Sequence, residues 1–154
     1  LSFEQVALPD LVEQVLAAQR LVADALSIEL AVENEPDLPV VEADTGRIKQ
    51  VLLNLVGNAF EAMRGPGDRR LTVATRREGG SVAVEVRDTG PGIPTTIAGE
   101  LFRPFVTTKE AGTGLGLPIV KRIVELHGGS VRVGPSAGGG TVARFTLPLH
   151  PRRT

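Results

Sequence analysis

Four polar side chains recur at helical spacing between residues 45 and 63. They are separated by steps of four, four and three residues: Gln50, Asn54, Asn58 and Glu61. Such a stripe is ordinarily a solvated helix face. Asparagine, however, is a mediocre helix former, and a face that is only solvated favours Glu, Lys or Gln. Two asparagines one turn apart can offer amide oxygens to a hard cation or to its waters, so the stripe predicts either a solvated face or a cation-binding one.

A carboxylate, Asp88, ends a hydrophobic strand and begins the run Asp-Thr-Gly-Pro-Gly-Ile at 88–93. The plain interpretation is a strand-to-loop turn, since Asp and Gly both favour turns. Asp-Thr-Gly also presents the carboxylate of an aspartic protease, but those enzymes need two such groups side by side. This chain has a single copy, followed by Pro91, which argues against a protease.

Three alternating glycines, Gly112, Gly114 and Gly116, precede a predicted helix. Glycine lets a backbone approach phosphate oxygens, and a helix N-terminus supplies free N–H groups. The spacing matches neither the phosphate loop nor the dinucleotide motif, because residue 117 is Leu. A phosphate cradle and a plain glycine-rich loop both remain open from this segment alone.

Hydrophobic periodicity predicts the elements that must position these residues. Helices are expected over about 9–25, 45–63 and 117–127, and strands over 3–8, 28–32, 71–76, 82–88, 130–133 and 141–147. Val40 and Val41 are expected to form a short partner of the strand at 28–32. The result is one α+β domain over 1–148, with a lid at about 94–114 and a basic tail at 149–154.

Composition excludes several functions. The 154 residues carry a net charge of −1, which argues against a surface that coats nucleic acid. The absence of cysteine excludes disulfides, thiolate zinc sites and a cysteine nucleophile, and two distant histidines argue against a histidine metal site. No apolar run approaches the roughly 20 residues of a membrane span. The first residue is Leu rather than Met, so we expect a piece of a longer protein.

Taken in order, four segments resemble the catalytic ATP-binding domain of bacterial sensor histidine kinases, within the superfamily of gyrase, heat-shock chaperone and mismatch-repair ATPases. Residues 50–59 resemble its N box, 88–93 its first glycine box, 101–105 its F box and 112–117 its second glycine box. Residues 58–63 and 105–109 are most similar to the nitrogen-regulation branch. The resemblance covers nearly the whole chain and implies a two-layer α/β sandwich of the Bergerat type. Its sheet should be mixed and largely antiparallel, covered by three main helices.

The resemblance also implies roles for individual residues. Asn58, with Asn54 one turn away, is expected to coordinate Mg²⁺, and Asp88 to accept a hydrogen bond from the adenine amino group. Thr141 is expected near the same base edge, directly or through water. The remaining expected ATP-binding residues are Gly90, Gly92, Lys109, Gly112, Thr113, Gly114, Leu115 and Gly116. Phe102 and Phe105 are expected to be lid anchors, and no side chain is assigned a catalytic role.

Two departures from the family pattern stand out. Many members carry a basic residue where this chain has Glu61, so Glu61 is assigned no phosphate contact. The phosphoacceptor histidine, which precedes an acidic residue in the family, is absent. His127 precedes Gly128 at a helix end, where a cation would suit the dipole, and His150 precedes Pro151 in the tail.

The expected function is therefore transfer of the γ-phosphoryl of ATP to a histidine on a separate dimerisation domain of the same kinase. A response regulator would be an indirect partner. We expect a monomeric cytoplasmic fragment, cut from a sensor that is either soluble or membrane-bound, without direct contact to nucleic acid or membrane. The alternatives are a gyrase- or chaperone-type ATPase, a stand-alone anti-sigma serine kinase, and a nucleotide-sensing module. The ATPase is disfavoured because such enzymes place a glutamate base where this chain has Asn54.

Overall fold

The computed structural model describes residues 1–91, 116–136 and 138–150. Along these residues the elements are β1 Glu4–Val6, α1 Leu8–Ala25, β2 Glu29–Asn34, β3 Val41–Ala43, α2 Thr45–Ala62, β4 Arg70–Glu78, β5 Ser81–Asp88, α3 Gly116–Leu126, β6 Ser130–Pro135 and β7 Thr141–Pro148. The three predicted helices are confirmed, each within one or two residues of its expected bounds.

Five strands form the main sheet in the order β2-β4-β5-β7-β6. The strand β2 runs parallel to β4, and every other pair in this sheet is antiparallel. The predicted mixed, largely antiparallel sheet is therefore confirmed. The central strand β5 lies between β4 and β7, so its last residue, Asp88, lies at the middle of the sheet edge rather than at its margin.

The predicted partner of the strand at 28–32 is wrong. The segment β3 pairs antiparallel with β1, with Val6 opposite Val41 and Glu4 opposite Ala43. The strand β2 instead pairs parallel with β4, starting with Glu29 opposite Arg70. Pairing with β1 leaves Val41 and Ala43 fully buried in the core, and this burial favours β1 although β2 lies much nearer in sequence.

The core lies between the helices and one face of the sheet. Alternate residues of β4, β5 and β7 point into it and are buried: Leu71, Val73, Val82, Val84, Val86, Phe145 and Leu147. The helices contribute one apolar stripe each, such as Ile48, Val51, Leu52, Leu55 and Val56 of α2. The opposite sheet face carries ion pairs, among them Arg76 with Glu85 and Arg87 with Glu33. The helices therefore form one layer and the sheet the other, which is the predicted two-layer sandwich.

Leu149, the first residue of the expected tail, is held to the domain by two backbone hydrogen bonds. The Leu149 N–H donates to the Gly80 carbonyl at 2.9 Å, and its own carbonyl accepts from Glu42 N–H at 3.2 Å. Leu149 also packs against the core. The first residue of the expected tail is therefore anchored to the sheet, and residues 151–154 lie outside the described part.

Candidate functional site

Asp88 is a nearly buried carboxylate, with 6% of its surface exposed, at the end of the central strand β5. Its Oδ1 accepts the Gly90 N–H at 2.9 Å and the Thr141 N–H at 3.3 Å. The first bond forms the turn after β5, and the second ties that turn to the start of β7. Asp88 and Thr141, which the sequence predicts for one base edge, are therefore brought together.

Gly140 packs directly onto the backbone of Asp88. A methyl group there would lie 2.0 Å from the Asp88 carbonyl oxygen and 3.0 Å from the Thr89 Cα, and the φ of Gly140 is +84°. Only glycine tolerates both the close approach and the left-handed backbone. Sequence reasoning missed Gly140 as a site residue. The signal was the three-glycine run that ends directly before Thr141.

Gly90 brings the turn after β5 against the end of α2. A methyl group on Gly90 would lie 2.8 Å from the Ala62 carbonyl oxygen and 3.1 Å from the Asp88 Oδ1. Ala62 is the last residue of α2, one turn beyond Asn58. The last turns of α2 therefore carry Asn58 of the polar stripe and also contact the turn that follows Asp88.

Thr89 contributes to the site indirectly. Its Oγ1 donates to the Asp68 carbonyl at 2.6 Å and accepts from the Arg70 N–H at 3.0 Å, with the Met63 sulfur 3.6 Å away. Its side chain thus holds the loop between α2 and β4. The guanidinium of Arg69 secures the same loop, donating to the carbonyls of Leu26 at 2.6 Å, Arg64 at 2.8 Å and Gly65 at 3.2 Å. Sequence reasoning assigned neither Thr89 nor Arg69 a role.

The polar stripe of α2 is half-buried along its whole length. Its four members, Gln50, Asn54, Asn58 and Glu61, are all intermediate in exposure, whereas Leu53 and Gly57 beside them are exposed. The N-terminus of α3 lies next to this stripe, since a methyl group on Gly116 would lie 3.9 Å from the Asn58 Nδ2. The structure therefore places an asparagine amide beside the positive end of a helix dipole.

Part of the predicted site falls outside the described residues. These are the glycine-box residues Gly92, Gly112, Thr113, Gly114 and Leu115, together with Lys109, Phe102, Phe105 and the expected lid at about 94–114. Of the predicted ATP-binding residues, the structure describes Asn54, Asn58, Asp88, Gly90, Gly116 and Thr141.

The described residues hold no cluster of three or more His, Cys, Asp or Glu that could bind a metal ion by itself. The asparagine amides of α2 are neutral oxygen donors, which suit a hard cation only when other oxygens complete its shell. No helix within the described ranges is long and apolar enough to cross a membrane.

His127 does not behave as the expected cation at a helix end. Its ring is 1% exposed, its Nδ1 lies 2.8 Å from the Ile123 carbonyl, and its Nε2 accepts the Asp44 N–H at 3.0 Å. A carbonyl can only accept, so the hydrogen-bond network assigns the neutral Nδ1–H tautomer. The ring thus satisfies a terminal carbonyl of α3 with a neutral N–H, because a buried charge without a counter-ion is costly.

Comparison with known proteins places this geometry in a family. Residues 43–151 match the family described as histidine kinase-, DNA gyrase B- and HSP90-like ATPase. The C4-dicarboxylate transport sensor protein DctS of Rhodobacter capsulatus is 46% identical in an alignment of 145 residues that covers 92% of this chain and 22% of that protein. The sensory histidine kinase/phosphatase NtrB of the same species is 43% identical in an alignment of 129 residues that covers 77% of this chain and 36% of that protein. The chain thus spans about a fifth to a third of such relatives.

Solved structures of histidine kinases have the same fold as this chain. The nucleotide-free catalytic domain of histidine kinase ThkA superposes with a TM-score of 0.87 and 34% identity, over 98% of both chains. Full-length ShkA in complex with AMPPNP superposes with a TM-score of 0.87 and 34% identity, over all of this chain and 32% of that one. ThkA was also solved in complex with the response regulator protein TrrA.

Proposed function

The chain belongs to the histidine kinase-, DNA gyrase B- and HSP90-like ATPase family as the catalytic ATP-binding domain of a sensor histidine kinase, and from this premise we propose that it binds Mg-ATP and transfers the γ-phosphoryl to a histidine on the dimerisation domain of the same kinase. The observation that carries the proposal is the nearly buried Asp88 carboxylate beside Thr141, with Asn58 and the N-terminus of α3 on the adjoining wall.

Adenine is the base that we expect beside Asp88. The Asp88 carboxylate accepts a hydrogen bond from the exocyclic amino group of the base, and Thr141 meets the same edge directly or through water. We expect Gly90 and Gly92 to let the loop pass beside the base, while Gly140 packs on the Asp88 backbone. A guanine presents a carbonyl where adenine presents the amino group, so Asp88 would face it with lone pair against lone pair.

The triphosphate extends from the base along α2 towards α3. Asn58 and Asn54 would hold Mg²⁺ through their amide oxygens, beside the phosphates. We expect Gly112, Thr113, Gly114, Leu115 and Gly116 to bind the phosphates through backbone N–H groups, because free N–H groups at the start of a helix favour anions. Lys109 neutralises the β- or γ-phosphate. Glu61 acts only indirectly, through Mg²⁺ or water.

Transfer then needs position more than side-chain chemistry. A ring nitrogen of the acceptor histidine forms the new P–N bond while the bond from the γ-phosphorus to the bridging oxygen breaks, and ADP leaves. Mg²⁺, when bound, neutralises charge on the phosphate oxygens. This chain's residues contribute orientation of the base through Asp88 and of the phosphates through the backbone before α3. Asn54 stands where the related ATPases have a glutamate base, and an amide cannot take a proton from water, which disfavours hydrolysis.

The partners and the location follow from this function. The dimerisation domain supplies the histidine, and the response regulator receives the phosphoryl group from it. ThkA, which is similar to this chain, has been captured with its response regulator. We place the domain in the cytoplasm, where ATP is available, as a monomer without contact to nucleic acid or membrane.

The experiment that tests the proposal mixes this domain with the separate dimerisation domain of its parent kinase and labelled Mg-ATP. Acid-labile label should appear on the dimerisation domain and be lost when its histidine is replaced. Transfer should be slow, because the two domains are not tethered and lack the roughly millimolar effective concentration of a short linker. Binding of ATP without any label on an associated acceptor domain would contradict the kinase and favour a nucleotide-sensing module.

A further inference from the structure

His127 lies outside the nucleotide site but connects the two helices that form one wall of it. Its ring takes the Asp44 N–H directly before α2 and gives its Nδ1–H to the Ile123 carbonyl near the end of α3. Asp44 is also the N-cap of α2, with its Oδ1 accepting the Arg47 N–H at 3.1 Å. A single buried ring therefore joins the start of one helix to the end of the other.

The other ends of these helices meet in the candidate site. Asn58 lies on α2 about 21 Å along the helix from Asp44, and Gly116 begins α3 about 16 Å before His127. Gly116 and Asn58 lie side by side, since a methyl group on Gly116 would lie 3.9 Å from the Asn58 Nδ2. The two helices are therefore antiparallel, with a polar junction at one end and the nucleotide wall at the other.

Apolar packing also holds α3, since its Leu117 packs against the core. Three of its residues are buried: Val120, Ile123 and Val124. Its end is fixed to β7, because a methyl group on Gly129 would lie 1.8 Å from the Thr146 carbonyl oxygen. The bonds of the His127 ring add a polar contact to this packing and hold the end of α3 at the start of α2, which contributes to where the N-terminus of α3 lies.

The N-terminal segment closes over the same junction. The Ser2 N–H donates to the Asp44 Oδ2 at 2.9 Å, and Thr45 Oγ1 donates to the Glu4 carboxylate. The ring of Phe3 contacts His127 edge-on, with ring centroids 5.2 Å apart. These contacts exclude water from the His127–Asp44 bond, which raises its strength.

We infer that His127 is a positioning residue for the nucleotide site: its neutral ring fixes α3 against α2 and so keeps Gly116 beside Asn58, where the phosphates and Mg²⁺ bind. The inference rests on the proposed function. Loss of the ring's acceptor nitrogen releases the direction of α3 and weakens Mg-ATP binding at a distance, although His127 touches no nucleotide.

The first test compares three variants by calorimetric titration with Mg-ATP, at a temperature where circular dichroism shows each to be folded. His127→Leu removes both bonds, and His127→Gln keeps an acceptor for the Asp44 N–H. Thr75→Val is the matched control, because it removes another buried side-chain bond, from Thr75 Oγ1 to Asn34 Oδ1 at 2.6 Å, in the β2–β4 pair away from α2 and α3. We expect His127→Leu to bind at least about threefold more weakly, His127→Gln to recover most of that loss, and Thr75→Val to match the wild type.

The outcomes separate this inference from the proposed function. A wild-type chain that does not bind Mg-ATP contradicts the proposed function itself. If the wild type binds and folded His127→Leu binds equally well, the positioning role is wrong while the proposed function stands. A loss of the same size in Thr75→Val would also overturn it, since the effect would then follow general destabilisation.

A second measurement uses the wild-type chain and does not depend on a variant that folds. If the junction supports nucleotide binding, nucleotide must support the junction to the same extent. Saturating Mg-ATP should slow solvent exchange of the Asp44 amide more than that of amides in the β2–β4 pair, and long-range nitrogen spectra should show His127 as the Nδ1–H tautomer. Equal slowing at both places, or the other tautomer, would overturn the inference.

Discussion

At the scale of single residues, the candidate site is built from side chains that already have structural partners. The Asp88 Oδ1 is committed to two backbone amides, those of Gly90 and Thr141, and these bonds fix the direction of the carboxylate before any ligand arrives. A carboxylate held in this way is preorganised, so a base that binds it does not have to order it first.

Asp88→Asn should weaken ATP binding about tenfold or more and leave tripolyphosphate binding unchanged. The asparagine keeps an oxygen for the Gly90 and Thr141 amides, so the turn survives. The charge-assisted bond to the adenine amino group is lost, at a cost of about 1.5–3 kcal/mol. Calorimetric titrations with both ligands check this, and the wild type should prefer ATP to GTP. Equal binding of ATP and GTP would refute the adenine-reading role of Asp88.

Asn58→Ala should remove most of the Mg²⁺-dependent part of ATP binding without loss of the fold. The matched control is Gln50→Ala, which removes a half-buried amide from the same stripe two turns earlier. Titration with ATP in the presence and in the absence of Mg²⁺ separates the two contributions. Wild-type affinity for Mg-ATP in a folded Asn58→Ala would disprove the metal assignment.

At the scale of elements, the site depends on three segments that approach one another closely at glycines. The turn after β5 contacts the end of α2 through Gly90, and the turn before β7 lies on the Asp88 backbone through Gly140. Each approach is closer than a Cβ allows, so these glycines set how the elements pack. The glycine-rich composition, 18 residues of 154 or about 12% against an average near 7%, is explained in part by such contacts.

Gly140→Ala should destabilise the domain by about 2 kcal/mol or more and weaken ATP binding. The methyl group meets the Asp88 carbonyl oxygen at 2.0 Å, and the backbone at φ +84° is strained for alanine. Gly138→Ala is the matched control from the same turn, since nothing lies within 4 Å of its methyl position and its φ is not in the left-handed region. Urea unfolding gives the two stabilities. Similar midpoints for both variants would be incompatible with the packing of Gly140 on Asp88.

At the scale of the whole molecule, the described residues include a candidate nucleotide site, and neither described histidine lies in a setting that suits a phosphoacceptor. Both nitrogens of His127 are hydrogen-bonded inside the core. The side chain of His150 is 84% exposed, and its Nδ1 lies 3.5 Å from the Glu42 carboxylate at the surface, with Pro151 next in sequence. A phosphoryl acceptor needs a ring nitrogen that ATP can reach and surrounding residues that position this nitrogen at the γ-phosphate. Neither His127 nor His150 meets both requirements.

The chain alone should therefore bind labelled ATP and gain no acid-labile label. The check is incubation with labelled Mg-ATP at several protein concentrations, followed by separation at neutral and at acid pH. His150→Gln serves as the control for the exposed ring and should behave like the wild type. Acid-labile label on the isolated chain, lost in His150→Gln, would show that this chain carries its own acceptor.

Acid should lower the free energy of unfolding through two carboxyls. The Ser2 N–H holds the pKa of Asp44 below its ordinary value, and the hydrogen bond from Arg144 does the same for the pKa of Glu78. A carboxyl with a lowered folded-state pKa contributes stability that is complete above its unfolded value, about 3.9 for Asp and 4.3 for Glu, and that is lost as the pH falls through the folded value.

Urea midpoints measured from about pH 6 to about pH 3 should therefore fall, and fall less steeply in Asp44→Asn. The control is Glu13→Gln on the exposed face of α1, which should follow the wild-type curve. A curve for Asp44→Asn that is parallel to the wild type over the whole range would mean that the Asp44 cap carries none of the pH dependence.

The sequence by itself determined the element types and the order of the motifs. Helical spacing of apolar residues and strand alternation are local properties, since each follows from the pitch of a helix or the pleat of a strand. The four ordered segments were sufficient to identify the family and to pair Asp88 with Thr141 as neighbours. The asparagine stripe could also be predicted, as a solvated or a cation-binding face, because it depends only on residue type and spacing within one helix.

Only the tertiary structure decided the contacts between segments distant in sequence. The partner of β3 is β1 rather than β2, since core burial rather than sequence proximity selects it. Gly140 became a site residue, and His127 a neutral buried ring rather than a helix-end cation, through partners 52 and 83 residues away, Asp88 and Asp44. The periodicity of a sequence does not predict such contacts. They depend on where packed elements bring two backbones together and on which groups are then buried away from water.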